Sequence, residues 1–516
     1  MEYSKFTTKR CLIKTDCTIW QLKSDFLTAE KMNNKLPYKS IPVILTFFFL
    51  LTGGFTPVLC NAGTEDDSGS DFHDIRNFGA AGDGITDDTD AIRRAIMESG
   101  GAIRISGGIY RITETIEIPM ATTNRVSISG DMGTGTVMMA GAGPAFRFAG
   151  THHGTANPAS VTDEVWKQER MPVVENLEIM GDHPEADGLE FLYTMQPIVR
   201  GVLIREVRHG IILRERNRNF ILDSSHIYSC SGSGLLLDRV DLHQANVQGS
   251  HISYCKQGGI RSIGSQIRNL QITGNDIEYN YDPQANQSAD IWIDAAEGVV
   301  REGTISGNTI QSIPSPGGAN IRFSGAEESY DKTGLWSITG NHVSNQNVNI
   351  HIDSGRGFAI NGNSIRGGIN RSLLLENSRN IVFSSNSIDN NPDYRSDAGN
   401  GITVQNSQGV ILSDVQLELA GNVENRNGAV EVMNSKEVSV TGCQIFYSSL
   451  TGIYVEDSQN IQLGQCLIQE TEREGQSSAI VVTGSSQNVI ILNNLTSGEI
   501  NAEPGTSVIE GNHKLE

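Results

Sequence analysis

Four side chains that could bind a sugar or transfer a proton occupy equivalent positions in short segments of this sequence. Arg261, Trp292, Arg322 and His351 each occupy the central position of a five-residue, strand-like segment. Alternation along a strand predicts that this central residue points outward while its aliphatic neighbours point inward. An indole offers a flat apolar face to a sugar ring, and a guanidinium group binds carboxylates or hydroxyls through paired hydrogen bonds. The spacing predicts a carbohydrate groove; the competing interpretation is a solvated face on which arginines pair with acids.

Polar residues flank these central positions and add candidate ligands. Asp290, Asp294, Asn320 and Asp353 stand at the ends of the same segments, where outward orientation is again predicted. Aspartate is disfavoured in strands, so its presence calls for a reason beyond structure. We predict that Asp290 and Asn320 bind substrate beside Arg261, Trp292 and Arg322. We predict catalytic roles for Asp294, Asp353 and His351.

A second group of candidate residues falls on the strand that precedes these segments. His226, His251 and Asp276 occupy one position in three successive repeats, and Glu278 and Tyr279 follow two and three residues after Asp276. Two stacked histidines repel each other when both are charged, so at least one should be neutral near pH 7 and able to act as a base. The alternative is that they are ladder residues of a turn. We predict catalytic roles for Asp276 and Glu278, and substrate binding by His251 and Tyr279.

Glycoside hydrolysis is the reaction that these carboxylates favour. It needs two carboxyl groups, about 5–5.5 Å apart for retention or about 6.5–9.5 Å apart for inversion. Asp294 and Asp353 lie two repeats apart, which at about 4.8 Å per coil is near the upper inverting limit. Asp276 or Glu278 could supply a partner from the neighbouring strand.

Two other functions stay open. β-Elimination from a uronate needs cations and a base, for which Arg261, Arg322, His351, Lys256 and Tyr279 are candidates. A non-catalytic, adhesin-like glycan-binding solenoid would use the same outward side chains without turnover. The sequence does not decide among hydrolysis, elimination and epimerisation.

A repeat positions all of these residues. Residues 222–280 run LDSSHIYSC, VQGSHISYC and ITGNDIEYN, with equivalent positions 25 residues apart. Repeats of this length built from short strands are typical of solenoids. The sequence predicts an all-β, single-stranded parallel solenoid of about 12 coils. Loops of variable length precede the segments that contain Arg261, Trp292, Arg322 and His351, and loops of this kind tend to determine substrate specificity.

Two kinds of residue recur at the turns. Asn275, Asn308, Asn341 and Asn363 each follow a glycine, which predicts a stacked amide ladder; asparagine also tolerates the left-handed backbone that such a turn needs. Four cysteines pair by position on adjacent coils, as Cys230 with Cys255 and as Cys443 with Cys466. Each pair is either a disulfide or two stacked buried thiols. Neither pair has histidines at metal-ligand spacing, so we predict no metal and no cofactor; Ca²⁺ has no support.

Residues 72–118 are predicted to form an N-terminal cap and the first coil. Side-chain oxygens of Asp87, Asp88 and Thr89 would cap a short helix that ends at Gly100-Gly101. The helix has one apolar face, made of Ala91, Ile92, Ala95 and Ile96. Two strands are predicted after it, at 102–105 and 116–118.

This cap resembles the start of the rhamnogalacturonase/epimerase-like proteins of the pectate-lyase-like superfamily. The matching residues are Phe78-Gly79-Ala80, Gly82-Asp83-Gly84, Thr86-Asp87-Asp88-Thr89, Ala91-Ile92 and Gly108-Ile109-Tyr110. The resemblance implies a right-handed parallel β-helix with a helix closing its N-terminal end, and a first sheet that carries the substrate groove. It implies no substrate, since the superfamily holds lyases, glycosidases, epimerases and phage tailspikes. Relatives often trimerise, so a homotrimer stays open. The Asn-Thr-Asp strand followed by a paired Asp-Asp, a signature of polygalacturonases, is missing from this sequence, which argues against polygalacturonase activity proper.

Charge and an apolar segment near the start set the cellular context. The formal net charge of −21 argues against nucleic acid or an anionic membrane as the main partner, but not against an acidic glycan held by a local basic patch. Residues 1–62 are predicted to be a leader with a secretory signal that starts at Met32 and is cleaved after Ala62. Residues 63–71 would be a linker and 72–516 the solenoid domain. We predict a secreted, extracellular or periplasmic protein without stable membrane insertion after cleavage; the alternative is an uncleaved anchor at 41–59.

Overall fold

A computed structural model describes residues 73–131, 133–326, 329–393, 398–421, 423, 425–470, 478–503 and 507–515. The predicted leader (1–62) and linker (63–71) lie outside these residues. The helices are short: an α-helix over Thr89–Glu98, one over Met120–Thr123, 3₁₀ turns at Ile75–Phe78 and Pro158–Ser160, and a π-helical turn at Val165–Glu169. Strands make up the rest of the regular structure.

Three parallel sheets form the solenoid, and each coil contributes one strand to each sheet in turn. Sheet I has 17 strands, from His73–Asp74 to Ser507–Glu510. Sheet II also has 17, from Asp83–Asp87 to His513–Lys514, and sheet III has 15, from Ile116–Pro119 to Ile500–Ala502. The polypeptide is therefore a parallel β-helix, as predicted.

Six coils in the middle of the solenoid carry the candidate residues. Their sheet I strands are Arg216–Asp223, Asp241–Gln248, Gln266–Thr273, Val299–Ser306, Thr333–Thr339 and Gly355–Asn361. Their sheet II strands are His226–Tyr228, His251–Ser253, Asp276–Glu278, Thr309–Gln311, His342–Ser344 and Ser364–Arg366. Their sheet III strands are Ser233–Asp238, Gly258–Ile263, Ser288–Asp294, Gly318–Ser324, Val348–Asp353 and Arg371–Glu376. Variable loops connect sheet II to sheet III.

A continuous column of aliphatic side chains fills the interior. Ile227, Ile252, Ile277 and Ile310 of sheet II are fully buried and stack from one coil to the next. Each coil alone could not bury its apolar face, so stacking supplies the hydrophobic stabilisation. This stacking fixes the register that brings equivalent positions together.

The solenoid is longer than the predicted 12 coils. The stretch before Arg170 also forms coils, with strands Ser127–Gly130, Gly135–Met139 and Gly143–Ala149 pairing with their neighbours. These coils were missed because their sequence does not repeat visibly, although apolar residues still alternate along each strand.

The N-terminal helix forms as predicted, but only one of its three predicted caps is made, and the Thr89 hydroxyl instead accepts from the Thr113 backbone N–H at 2.9 Å. Ala91, Ile92, Ala95 and Ile96 are all buried. Asp87 caps the helix by accepting from the Thr89 backbone N–H at 3.1 Å. Asp88 does not cap it; its carboxylate accepts from the Ala81 and Gly82 N–H groups and so holds the preceding loop.

The amide ladder is present, but the left-handed residue in each turn is the glycine. Gly274, Gly307, Gly340 and Gly362 have φ of 64°, 64°, 64° and 63°, whereas the asparagines after them have ordinary backbone angles. Asn308, Asn341 and Asn363 each accept from the backbone N–H and side-chain amide of the asparagine on the preceding coil, and Asn275 accepts from the Ser250 backbone N–H. The prediction that asparagine takes the left-handed conformation here was therefore wrong, because glycine adopts it without steric cost.

The paired cysteines are free thiols. Cys230, Cys255, Cys443 and Cys466 are all buried and none forms a disulfide. Cys443 and Cys466 stand in the asparagine column, where the Cys466 backbone N–H donates to Asn494 Oδ1 at 2.9 Å. Of the two alternatives, the stacked thiols are therefore observed.

Candidate functional site

The predicted outward column of sheet III stacks in register. Arg261 pairs with Trp292, Trp292 with Arg322, and Arg322 with His351 on successive coils. The Arg261 guanidinium lies 4.6 Å from the centre of the Trp292 ring, and that of Arg322 lies 5.7 Å from it. Two cations on neighbouring coils thus contact the indole. These two cation–π contacts use part of the aromatic surface that was predicted to receive a sugar ring. Sugar binding by Trp292 stays a prediction.

His351 belongs to a hydrogen-bonded network at the end of that stack. Its Nδ1 lies 2.8 Å from Arg322 Nη1, and its Nε2 lies 2.8 Å from Glu376 Oε2. The hydrogen bond from His351 lowers the pKa of Glu376, and burial lowers that of Arg322. Arg322 also donates to the Gly317 carbonyl oxygen. These contacts occupy His351 and Arg322 with each other, and the acid of the network, Glu376, pairs with His351. Both interpretations of this face, the carbohydrate groove and the pairing of arginines with acids, stay predictions.

Glu376 was not among the predicted site residues. It stands one coil beyond Asp353 in the same column. A closer reading of that column would have found it, because it continues the acidic series that begins at Asp294.

Asp294 and Asp353 lie two coils apart in one column, as predicted, with Ser324 between them. Asp294 contacts the turn that follows its own strand, and Asp353 contacts the equivalent turn of the next coil. Asp294 Oδ1 accepts from the Ala296 N–H at 3.1 Å, and Asp353 Oδ1 accepts from Asn377 Nδ2 at 2.9 Å. Such turn contacts give both residues a structural role, and their predicted catalytic role stays a prediction.

Asp290 and Asn320 do not point outward. Both are fully buried, and Asn320 Nδ2 donates to Asp290 Oδ2 at 3.0 Å. Asp290 Oδ1 also accepts from the Asn280 backbone N–H at 2.9 Å, and Asn349 continues the column by donating to Asn320. Burial raises the pKa of Asp290 despite these donors. The prediction that both residues bind substrate was wrong: each is the third residue of a strand whose first half is buried on both faces, so it satisfies buried polar groups of the neighbouring turn and coils.

On sheet II, three groups of the second cluster come close together. His226, His251 and Asp276 stack in register, and Glu278 lies two residues after Asp276 on the same face of the strand. A ring nitrogen of His251, a carboxylate oxygen of Asp276 and a carboxylate oxygen of Glu278 all lie within 4.8 Å of one another. His251 Nε2 is 3.8 Å from Asp276 and 4.0 Å from Glu278.

Hydrogen bonds orient the histidines of this cluster. The Tyr228 hydroxyl lies 2.8 Å from His251 Nδ1 and 3.1 Å from His226 Nδ1. A hydroxyl donates to one partner and accepts from the other, so at least one of the two imidazoles carries its proton on Nδ1. Tyr228 thereby fixes the ring of His251 with Nε2 towards the acids.

The pKa values of Glu278 and His251 differ from those of free side chains. Burial, and then the nearby charge of Asp276, raise the pKa of Glu278. Burial lowers the pKa of His251, with Asp276 opposing this and His226 adding to it. Glu278 therefore holds its proton more readily than a free glutamate does, and His251 loses its proton more readily than a free histidine does. Adjacent groups with diverging proton affinities are typical of acid–base sites.

Two tyrosines form an exposed aromatic surface at the end of these strands. Tyr254 and Tyr279 stack with ring centres 5.5 Å apart and planes at 8°. Both have positive φ, 58° and 55°, which turns their side chains at the exit from the strand. Tyr254 is 57% exposed, and the Tyr279 hydroxyl accepts from Gln311 Nε2 at 2.9 Å. Tyr254 and Gln311 were not among the predicted site residues, although the tyrosine repeat 25 residues apart was visible.

The same cluster is where the described residues could hold a metal ion. His251, Asp276 and Glu278 offer one imidazole nitrogen and two carboxylate oxygens. Ca²⁺ prefers about six to eight oxygen ligands, so this set suits a transition metal better. The prediction of no metal stays a prediction.

Comparison with known proteins establishes the class of fold. A family model described as "Right handed beta helix region" matches residues 165–297 and 393–513. Together with the three parallel sheets, this match shows that the protein is a right-handed parallel β-helix. The narrower resemblance to rhamnogalacturonase/epimerase-like proteins stays a prediction.

Several solved structures are similar to this chain at low sequence identity. The Dettilon tailspike protein (gp208) is 17% identical over 70% of this chain and 68% of its own, with a TM-score of 0.49. The Streptococcus pneumoniae surface protein and adhesin PfbA is 13% identical over 81% and 100%, with a TM-score of 0.43. The catalytic unit of the GH87 α-1,3-glucanase from Streptomyces thermodiastaticus strain HF3-3 is 14% identical over 88% and 72%, with a TM-score of 0.34. No curated protein sequence matches the chain. Among the described residues, no helix is long and apolar enough to cross a membrane.

Proposed function

We propose that this β-helix is a secreted protein that cleaves glycosidic bonds of a polysaccharide, with Asp276 and Glu278 as the reacting carboxylates. The observation that carries the proposal is the convergence of these two acids and His251 within 4.8 Å on the outward face of sheet II. Strand geometry supports it, because residues two apart on a strand share one face. The site on sheet III supports it less well, since Arg322, His351 and Glu376 bond to one another.

The two carboxyl groups suit different roles in hydrolysis. Glu278, whose pKa is raised, would donate a proton to the glycosidic oxygen as the bond breaks. Asp276 would attack the anomeric carbon and form a glycosyl ester, which water then hydrolyses while Glu278 takes the water's proton. One oxygen of each carboxylate lies within 4.8 Å of the other, which is shorter than both ranges for glycosidases and nearer to that for retention of configuration.

The stacked tyrosines suit the binding of the sugar chain. Tyr254 and Tyr279 present aromatic surface beside the acids, and aromatic rings pack against the apolar faces of sugars. This surface also favours a second function, in which the protein binds a glycan without cleaving it. Turnover separates the two.

A screen of purified protein on neutral and uronic polysaccharides tests the proposal. Reducing ends and the ultraviolet absorbance of unsaturated uronates are read on the same samples. We expect new reducing ends without absorbance, and a loss of about 10²–10⁴-fold in rate for Glu278→Gln. Asp389→Asn is the matched control, because Asp389 occupies the same column of sheet II four coils further on; it should retain the full rate.

Three outcomes would contradict this assignment. Loss of turnover in Asp294→Asn with full activity in Glu278→Gln would move catalysis to sheet III. New ultraviolet absorbance on a uronate would replace hydrolysis by elimination. Binding without turnover on every substrate would leave the glycan-binding function alone.

A further inference from the structure

Sheet I carries a column of basic side chains on four successive coils. Arg218 pairs in register with His243, His243 with Arg268, and Arg268 with Arg301. Arg216 lies two residues before Arg218 on the first of these strands and points to the same face. None of these residues belongs to the cluster on sheet II or to the stack on sheet III.

The positive charge of this column is only partly balanced. Arg216 pairs with Asp241, and Arg268 Nε lies 3.9 Å from Glu302. Arg218 donates to the backbone carbonyl of Thr155 at 3.0 Å, which neutralises no charge. Four guanidinium groups thus share two carboxylates, in a protein whose formal net charge is −21. A local excess of cations on an acidic protein concentrates anions at that place.

Several donors of the column lack a partner within the described part of the chain. Arg216 is 8% exposed, and its Nε and Nη2 have no acceptor. Arg301 Nε and His243 Nδ1 are likewise buried without a partner. Burial, and then the charge of Arg301, lower the pKa of Arg268, while burial and the charges of Arg218 and Arg216 lower that of His243. Buried cations that repel one another and hold unused donors are stabilised by an anion.

A groove lined by amides runs beside the basic column on the same coils. Asn219, Gln244 and Asn269 have φ of 56°, 63° and 60° and bend their strands one residue after the basic positions. Asn246 and Gln271 line the groove beyond the bend, and its volume is about 300 Å³. Amides both donate and accept hydrogen bonds, so they suit neutral hydroxyl groups. The bend thus places groups for hydroxyls next to groups for anions.

We propose that this face of sheet I is a second glycan-binding site, which takes a polysaccharide segment carrying carboxylate or sulfate groups. The guanidinium groups of Arg268 and Arg301 bind the anionic substituent. Arg216 and Arg218, on an earlier coil of the same sheet, add to the positive electrostatic potential at this face. The amides of Asn246 and Gln271 bind sugar hydroxyls. A nucleic acid fits less well, because the amides offer no ring surface for base stacking and the remaining protein is acidic. This site is independent of the proposed cleavage on sheet II.

Labelled dextran, carboxymethyl-dextran and dextran sulfate oligosaccharides of one length test the proposal, because they share a backbone and differ in charge. Binding is measured by fluorescence anisotropy, with Glu278→Gln protein so that cleavage does not interfere. We expect at least one of the two anionic derivatives to bind more tightly than dextran, by about tenfold or more. Whichever of the two binds more tightly shows whether the site prefers a carboxylate or a sulfate group. Raising NaCl from about 0.05 to 0.5 M should weaken that binding by about tenfold or more.

Variants locate the binding on sheet I. Arg268→Gln and Arg301→Gln should each weaken binding of the anionic derivative by about tenfold, because each removes one charged hydrogen bond. Arg379→Gln, an exposed arginine further along sheet I, is the matched control and should bind as the parent does. Equal binding of dextran and its anionic derivatives would overturn the proposal, as would insensitivity to salt or unchanged binding by both variants. Tighter binding of a DNA duplex than of either anionic dextran would overturn it in favour of nucleic acid.

Discussion

Replacing Asn308 by alanine should break the amide ladder at its centre. Asn308 is 2% exposed, and its Oδ1 accepts from the backbone N–H and Nδ2 of Asn275 at 2.9 and 3.0 Å. Its Nδ2 donates to the Ile272 carbonyl and to Asn341 Oδ1, both at 2.9 Å. Alanine removes all four hydrogen bonds and leaves the Asn275 backbone N–H buried without its acceptor.

The size of the effect follows from those four bonds. At about 1 kcal/mol of net stabilisation for each, the free energy of unfolding should fall by about 4 kcal/mol. For a domain of this size, that corresponds to a melting temperature lower by about 4 °C. Urea unfolding followed by circular dichroism measures the loss, and the melting temperature provides a second reading.

Two further variants make the test specific. Asn501→Ala removes an amide whose hydrogen bond to Ser478 is exposed, and should cost less than about 0.5 kcal/mol. Asn308→Asp keeps the acceptor oxygen and, when the pH is low enough to protonate it, one of the two donors, so it should then fall between the other two variants. A loss in Asn308→Ala within 1 kcal/mol of that in Asn501→Ala would refute the reasoning, since the ladder would then be no stronger than a surface bond.

Two other properties follow from buried groups. Burial and the neighbouring Arg216 and Arg218 lower the pKa of His152 from 6.5 to about 4. The unfolded chain therefore binds a proton on this histidine at a higher pH than the folded protein does. Up to about 3 kcal/mol of the free energy of unfolding should be lost as the pH falls from 6.5 to 4. Urea unfolding across that range should show a smaller loss in His152→Gln, and an equal loss in both proteins would contradict the assignment. Cys443 and Cys466 should react with a thiol-alkylating reagent only after denaturation and without prior reduction, as mass spectrometry would show; alkylation that requires a reductant would mean that they are bonded.

The repeat made the fold and the register accessible from the sequence. In a parallel β-helix each coil buries its aliphatic residues only when it stacks directly on the next, so residues one period apart must be neighbours. The columns of Arg261 with Trp292 and of His226 with His251 were predictable for this reason, as was the ladder that contains Asn308. Coils before Arg170 escaped notice because their lengths and turn residues do not repeat.

The orientation of residues at strand ends was less accessible. Alternation predicted that Asp290 and Asn320 point outward, but alternation separates a buried face from an exposed one only where one face of the strand is open to solvent. The first half of each of these two strands is buried on both faces. The distances around Trp292 were not accessible from the sequence either. The sequence placed arginines on the adjacent coils but did not show how closely their guanidinium groups approach the ring.

The sequence by itself determined a stacked solenoid and which residues share a column, because burial of a repeated apolar pattern permits one register. Only the tertiary structure decided which columns form a site. The approach of Glu278 to His251, and the grouping of Arg218, His243, Arg268 and Arg301 beside an amide-lined bend, depend on local backbone angles and on the rotamers of long side chains. Those quantities are set by contacts between coils, which no single repeat contains.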